Sequence, residues 1–167
     1  NVGMVDYSEL NKDIIVDWLE EVKDPEIPAI SLVDLGVITE VKIGSDNIRV
    51  EMTPTFVGCP AMDYMQKDVE RVLEEHGIDN YNVNISFEKP WTSKNISEKG
   101  RKALKEFGLA PPPEDFVIED IDVLENIKCP YCDSTNTDVK SPFGPTLCRS
   151  LHYCNNCKQA FEQFKPV

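Results

Sequence analysis

Apolar residues recur with a helical period near the start of the chain. Leu10, Ile14, Trp18 and Val22 fall every four positions, with Ile15 and Leu19 beside them, so residues 8–22 predict an amphipathic helix with one buried face. Ser8 is its predicted N-cap, and Asp24-Pro25 is its stop. Two prolines in 25–28 then forbid regular helix. The carboxylates Asp24, Glu26 and Asp34 therefore fall in an ordered loop, with a single turn or short strand near 30–33. Residues 37–43 and 48–53 alternate apolar and polar side chains around Gly44-Ser45-Asp46-Asn47, the signature of a β-hairpin. Residues 61–76 return to the helical period, with Met62, Met65, Val69, Val72 and Leu73 in one stripe and Gly77 as terminator. Methionines at this spacing read as core. His76 reads as an exposed residue at the helix end. Residues 81–87 alternate as a third strand, and 97–107 form a short basic helix behind Ser97. The chain is α+β, and its first part is a small α/β domain in the order helix, β-hairpin, helix, strand.

Between the second strand and the second helix lies Thr53-Pro54-Thr55-Phe56-Val57-Gly58-Cys59-Pro60-Ala61. Pro60 suits a first helical position, where its missing N–H costs nothing. That makes Cys59 the predicted N-cap, with Gly58 free to turn tightly before it. A thiol at a helix N-terminus faces unpaired N–H groups and the positive end of the dipole, both of which favour thiolate. Thiolate attacks electrophiles and binds soft metals. The plain alternative is a small apolar residue packed at a helix start.

Pro111-Pro112-Pro113 is a stiff linker. With the acidic stretch after it, residues 111–125 separate a first domain, 1–110, from a second, 126–167. The second contains Cys129-Pro130-Tyr131-Cys132 and Cys154-Asn155-Asn156-Cys157. Two-residue spacing lets a tight turn present both thiolates to one ion, and two such turns complete a tetrahedral four-cysteine site. The residues between them suit a β-hairpin carrying the second turn. About 40 residues cannot build much core, so a metal would supply folding energy directly. Structural Zn2+ is the expectation; rubredoxin-like iron and paired disulfides share the spacing. Cys148 and His152 lie outside both pairs. Each is a candidate substitute ligand, and Cys148 is otherwise a free thiol.

Composition narrows the class. The chain has 167 residues with 41% hydrophobic content and a formal net charge of −13, and both halves are acidic. Phosphate backbones are repelled on average, which disfavours a nucleic-acid partner. No apolar run approaches the roughly 18–20 residues of a membrane span. The start lacks a basic flank and an apolar stretch, so a signal peptide is not expected, and the expected compartment is cytoplasmic. There, paired cysteines read as metal ligands rather than disulfides. Neither a Glu-x-x-His helix pair for a di-iron centre nor a Gly-rich dinucleotide fingerprint occurs. A cysteine-nucleophile enzyme would need a base near Cys59. His76 lies about 25 Å along the following helix by its rise.

Asp24-Pro25-Glu26, the segment from Asp34 to Ile38, and the run from Thr53 to Pro60 together resemble the small domain of SufT-type iron–sulfur assembly factors. Pro90-Trp91-Thr92-Ser93, the run from Ile96 to Arg101, the proline linker and the C-terminal CPxC…CxxC ribbon extend the likeness to the PaaD/PaaJ-type proteins of phenylacetyl-CoA epoxidase (ring-oxygenase) clusters. The resemblance implies maturation rather than oxygenation: a non-enzymatic factor that helps install iron–sulfur clusters, with the iron–sulfur reductase component of the oxygenase as client and the assembly machinery as a further partner. It places the key cysteine at Cys59 and the carboxylate-rich loop at Asp24, Glu26 and Asp34. On this reading Cys59 is a transient cluster ligand, Asp34 orients the site or binds iron, and Thr53 and Thr55 hydrogen-bond sulfur. A stable cluster normally needs four ligands, so a second copy of the chain or the client would supply the rest. The alternative is a non-catalytic adaptor subunit of the oxygenase complex, in which Cys59 only packs.

Overall fold

The computed structural model describes residues 5–55, 61–112, 125–142, 144 and 149–164. The chain divides into two compact units, Asn1–Trp91 with Asn95–Ser97, and Thr92–Lys94 with Glu98–Val167.

In the first unit a 3-10 turn, Tyr7–Glu9, precedes helix α1 (Lys12–Leu19). The N-cap is Asn11, whose Oδ1 accepts the Ile14 amide at 2.9 Å, in place of the predicted Ser8. Asp6 takes Ser8 instead, accepting its amide at 2.9 Å and its hydroxyl at 2.6 Å. This local side-chain-to-backbone bond competes with helix and wins. Ile15, Leu19 and Val22 carry the buried face. Trp18 is half-buried, and its ring stacks on exposed His76 with centroids 4.1 Å apart. A single helical turn, α2 (Leu32–Leu35), follows Ser31 and ends at Gly36. Gly36 has φ +80°, and a Cβ there would lie 2.5 Å from Asn95, so only glycine fits.

Strands β1 (Ile38–Ile43) and β2 (Ile48–Met52) form the expected antiparallel hairpin. Helix α3 (Met62–Glu75) then crosses over to β3 (Tyr81–Ile85), which pairs parallel to β2 with Val50 opposite Val83. Helix α3 buries the predicted stripe Met62, Met65, Val69, Val72 and Leu73. Each Val or Leu fully buried there contributes roughly 1.5–3 kcal/mol. Its N-cap position is Ala61, whose carbonyl accepts the Met65 amide at 3.0 Å and whose side chain offers no cap. The expected N-cap at Cys59 is thereby corrected; Cys59 itself lies outside the described residues. Gly77 ends the helix with φ +85° as anticipated. The helices cover one face of the sheet. The other face, with Glu40, Lys42, Arg49, Asn82 and Asn84 exposed, is polar.

The second unit holds helix α4 (Glu98–Phe107), strand β4 (Leu109–Ala110), and strands β5 (Thr137–Ser141), β6 (Arg149–Cys154) and β7 (Ala160–Phe164). The sheet order is β4-β7-β6-β5. The proline linker predicts that residues up to 110 go with the first domain. In the structure β4 pairs parallel with β7, Leu109 opposite Glu162 and Ala110 opposite Gln163, so α4 and β4 fall in the second unit. One buried cluster joins Ala110, Ile127, Cys129, Cys154 and Phe161, and Leu104, Leu109 and Phe164 are buried as well. Among the described residues no helix is long and apolar enough to cross a membrane.

Leu19→Ala, at a position with no solvent exposure, is expected to cost about 2–5 kcal/mol. Urea denaturation followed by tryptophan fluorescence checks it; a loss below about 1 kcal/mol would show that α1 is not part of the core.

Candidate functional site

The two cysteine turns are built alike. The Cys129 amide donates to Ser134 O and the Cys154 amide to Gln159 O, each at 2.9 Å. Asp133 N returns to Cys129 O and Lys158 N to Cys154 O, again at 2.9 Å. Asp133 and Lys158, each one residue past the second cysteine of its pair, have φ 63° and 62°. This left-handed residue closes the turn and brings both thiols of a pair to one side. Backbone amides of Tyr131 and Cys157 point at the sulfurs of Cys129 and Cys154, at 3.4 and 3.5 Å.

All four sulfurs of Cys129, Cys132, Cys154 and Cys157 lie within 4.8 Å of one another. Across the pairs, Cys129 Sγ is 3.7 Å from Cys157 Sγ and Cys132 Sγ is 3.5 Å from Cys154 Sγ. A disulfide needs about 2.05 Å. A tetrahedron of sulfurs with Zn–S near 2.3 Å has edges of about 3.8 Å, so this donor set fits a zinc ion and forms a structural zinc site. Four thiolates leave no open coordination position, so the ion supplies folding energy and no hydrolytic chemistry. Without the cation the thiols diverge. Burial pushes Cys157 up to about 12 and also raises Cys129, while the Asn156 amide, 3.5 Å from its sulfur, draws Cys132 down to about 6. His152 is fully buried outside the cluster, with Nε2 2.7 Å from Ser150 Oγ, and burial holds it neutral down to about 4. The four-sulfur group is complete without it, so His152 is not one of the ligands. Cys148 lies outside the described residues.

In the first unit the loop residues take distinct places. Asp24 Oδ1 accepts the Glu26 and Ile27 amides at 2.8 and 3.0 Å, an Asx turn that sets the loop. Glu26 is exposed. Asp34 is only 8% exposed. Its amide donates to Ser31 Oγ at 3.0 Å, and its Oδ2 lies 3.1 Å from the same oxygen. Its Oδ1 accepts from Ser97 Oγ at 2.9 Å. Ser31 Oγ also lies 2.7 Å from Glu20 Oε2, so two carboxylates converge on one hydroxyl proton. Thr53 is buried, and its amide donates to Val37 O at 2.8 Å. Thr53, Gly36, Ser86, Lys89 and Asn95 are among the residues lining an open polar groove of about 800 Å³. Thr55 is half-buried.

The structure thus joins Asp34 to Ser31 and Ser97, and Thr53 to the end of the same loop. Sequence reasoning does not single out Ser31, Trp91, Asn95 or Ser97 as site residues. Ser31-x-x-Asp34 carries a readable capping signal; the contact with Ser97, 63 positions away, has none.

Comparisons with known proteins divide the chain in the same two parts. Residues 12–86 match the family described as iron–sulfur cluster assembly protein, and 115–165 match the PaaD zinc beta ribbon domain. Over 149 residues, 89% of each chain, it is 29% identical to an Escherichia coli protein provisionally named as a subunit of 1,2-phenylacetyl-CoA epoxidase. Over 97 residues, 57% of this chain and 89% of the other, it is 38% identical to the Fe-S protein maturation auxiliary factor of Porphyromonas gingivalis. Among solved structures, a domain of unknown function from Bacillus anthracis aligns with TM-score 0.52 and 29% identity, covering 56% of this chain and 90% of that one. A conserved hypothetical protein from Thermotoga maritima aligns with TM-score 0.50 and 28% identity, covering 64% and 100%.

Protons compete with the ion for thiolate, so zinc affinity is expected to fall as pH falls, read by transfer to a chromophoric chelator. An affinity that stays level between about pH 8 and about pH 6 would contradict four thiolate ligands. Removing the ion, or Cys154→Ser, is expected to unfold the β5–β7 ribbon, read as collapse of its amide chemical-shift dispersion.

Proposed function

The chain belongs to the iron–sulfur cluster assembly protein family and carries the PaaD zinc beta ribbon, and from that premise we propose that it matures iron–sulfur clusters in a phenylacetyl-CoA ring-oxygenase (epoxidase) system. The proposed client is the iron–sulfur reductase component, the proposed setting aerobic phenylacetate degradation in the cytoplasm. The chain acts as an accessory factor rather than an enzyme. The observation that carries this reading is a single relative, the E. coli protein, similar across both units. The auxiliary factor of P. gingivalis supports the maturation half of it.

The chemistry assigned to the first unit is brief custody of a cluster as cargo. Cys59 supplies one thiolate. Asp34, on the loop hydrogen-bonded to Thr53, supplies or orients an oxygen ligand; Thr53 and Thr55, four to six positions before Cys59 in the sequence, hydrogen-bond sulfur. Asp24 and Glu26 complete the carboxylate loop. A cluster held by one or two protein ligands of the usual four exchanges readily, which suits hand-over. A second copy of the chain, the client or the assembly machinery completes the set. A second reading follows from the name of the E. coli relative, which makes it part of the epoxidase: the chain is a resident adaptor of the oxygenase complex. It would then co-elute with the oxygenase at equal stoichiometry, independent of cluster loading.

Anaerobic reconstitution of the full chain beside Cys59→Ser tests the first reading. A visible iron–sulfur chromophore is expected in the native chain and its loss in the variant, with zinc content unchanged in both. Equal cluster content in the two proteins would remove Cys59 from the mechanism.

A further inference from the structure

Residues 91–97 lie between the two family-matched spans, 12–86 and 115–165, yet Trp91 and Asn95–Ser97 belong to the first unit. They grip three consecutive residues of the α2 loop. At Asp34, the Ser97 amide donates to the backbone carbonyl at 2.8 Å and the Ser97 hydroxyl to Oδ1 at 2.9 Å. At Leu35, Trp91 Nε1 donates to the carbonyl at 2.9 Å within the core, where Trp91 is 3% exposed. At Gly36, Asn95 packs so closely that no Cβ fits. The next residue, Val37, gives its carbonyl to the Thr53 amide at 2.8 Å. Positions 34 to 36 are thus tied to Ser97, Trp91 and Asn95, and position 37 to the residue that follows β2.

We propose that Trp91 with Asn95–Ser97 is a positioning clamp for the candidate cluster-transfer face, with Ser97 the residue that aims the Asp34 carboxylate. Ser97 holds Asp34 through backbone and side chain at once, which fixes both where the loop runs and how the carboxylate is rotated. Ser31 lies at the other oxygen, so loss of Ser97 removes one of the hydroxyls that set how the carboxylate is rotated. The clamp reaches Thr53 through Val37, so it also sets the point from which the chain departs β2. The functional part of this inference rests on the cluster-custody reading given above.

The test uses the zinc-loaded full chain, reconstituted anaerobically with ferrous iron and sulfide, as wild type, Ser97→Ala and Ser97→Thr. Iron loss to a ferrous chelator and the visible circular dichroism of the chromophore are read, with thermal unfolding as a control for folding. Ser97→Ala is expected to lose iron roughly 10-fold faster, the scale of one hydrogen bond to a charged group, with an altered dichroism. Ser97→Thr, which keeps the hydroxyl, is expected to match wild type. Equal rates in Ser97→Ala and wild type overturn the proposal. Should the wild type hold no chromophore, the custody reading fails by itself. The clamp is then judged by hydrogen exchange at the Thr53 amide: faster opening in Ser97→Ala but not in Ser97→Thr supports it, and unchanged opening overturns it.

Discussion

Two parallel strands cannot be joined by a tight turn; the chain must leave the end of one and cross the sheet before entering the other. In this protein that constraint falls on β2 and β3, with α3 as the crossover. It places 53–55 at the carboxyl end of β2, beside that of β3, and Ala61 at the start of a 14-residue helix. Crevices outside the carboxyl ends of strands are where open α/β sheets bind ligands. The hairpin partner β1 completes the sheet, and α1 and α3 cover one face. The carboxylate loop is brought to the same end because Val37, just before β1, hydrogen-bonds Thr53, just after β2.

The second unit depends on a different constraint. Among the described residues, the buried cluster around the metal position is Ala110, Ile127, Phe161 and two of the cysteines themselves. Apolar burial around these turns is limited, so the ion adds folding energy where they meet. The two turns repeat the same hydrogen bonds and the same left-handed residue because each must solve one geometric problem, bringing two thiolates of a four-residue segment to one point. Amide donors to sulfur partly neutralise the charge that the thiolates gather.

Buried Asp34 shows how one residue can hold a loop in place through several hydrogen bonds at once. A carboxylate that is 8% exposed must be hydrogen-bonded to remain charged. Ser31 and Ser97 are among the groups that meet that need, one hydroxyl at each carboxylate oxygen.

Much of this is legible from the chain because short-range periods and spacings decide it. The α3 stripe, the β1–β2 hairpin, Gly77 as a helix stop and the four zinc cysteines all follow from residues within a few positions of one another. The start of α1 differs from its prediction because Asp6 takes the Ser8 amide and hydroxyl while Asn11 takes the Ile14 amide, and composition does not rank neighbouring capping residues. The cap of α3 falls at Ala61, where no side chain marks it. What only the tertiary structure decided are the long-range choices: β3 parallel to β2, β4 beside β7, and Ser97 on Asp34. Each joins segments whose own patterns are satisfied by several partners. Sequence period fixes which face of an element is buried, while which other element covers that face, and which hydroxyl reaches a given carboxylate, depends on how the whole chain closes its loops and fills its core.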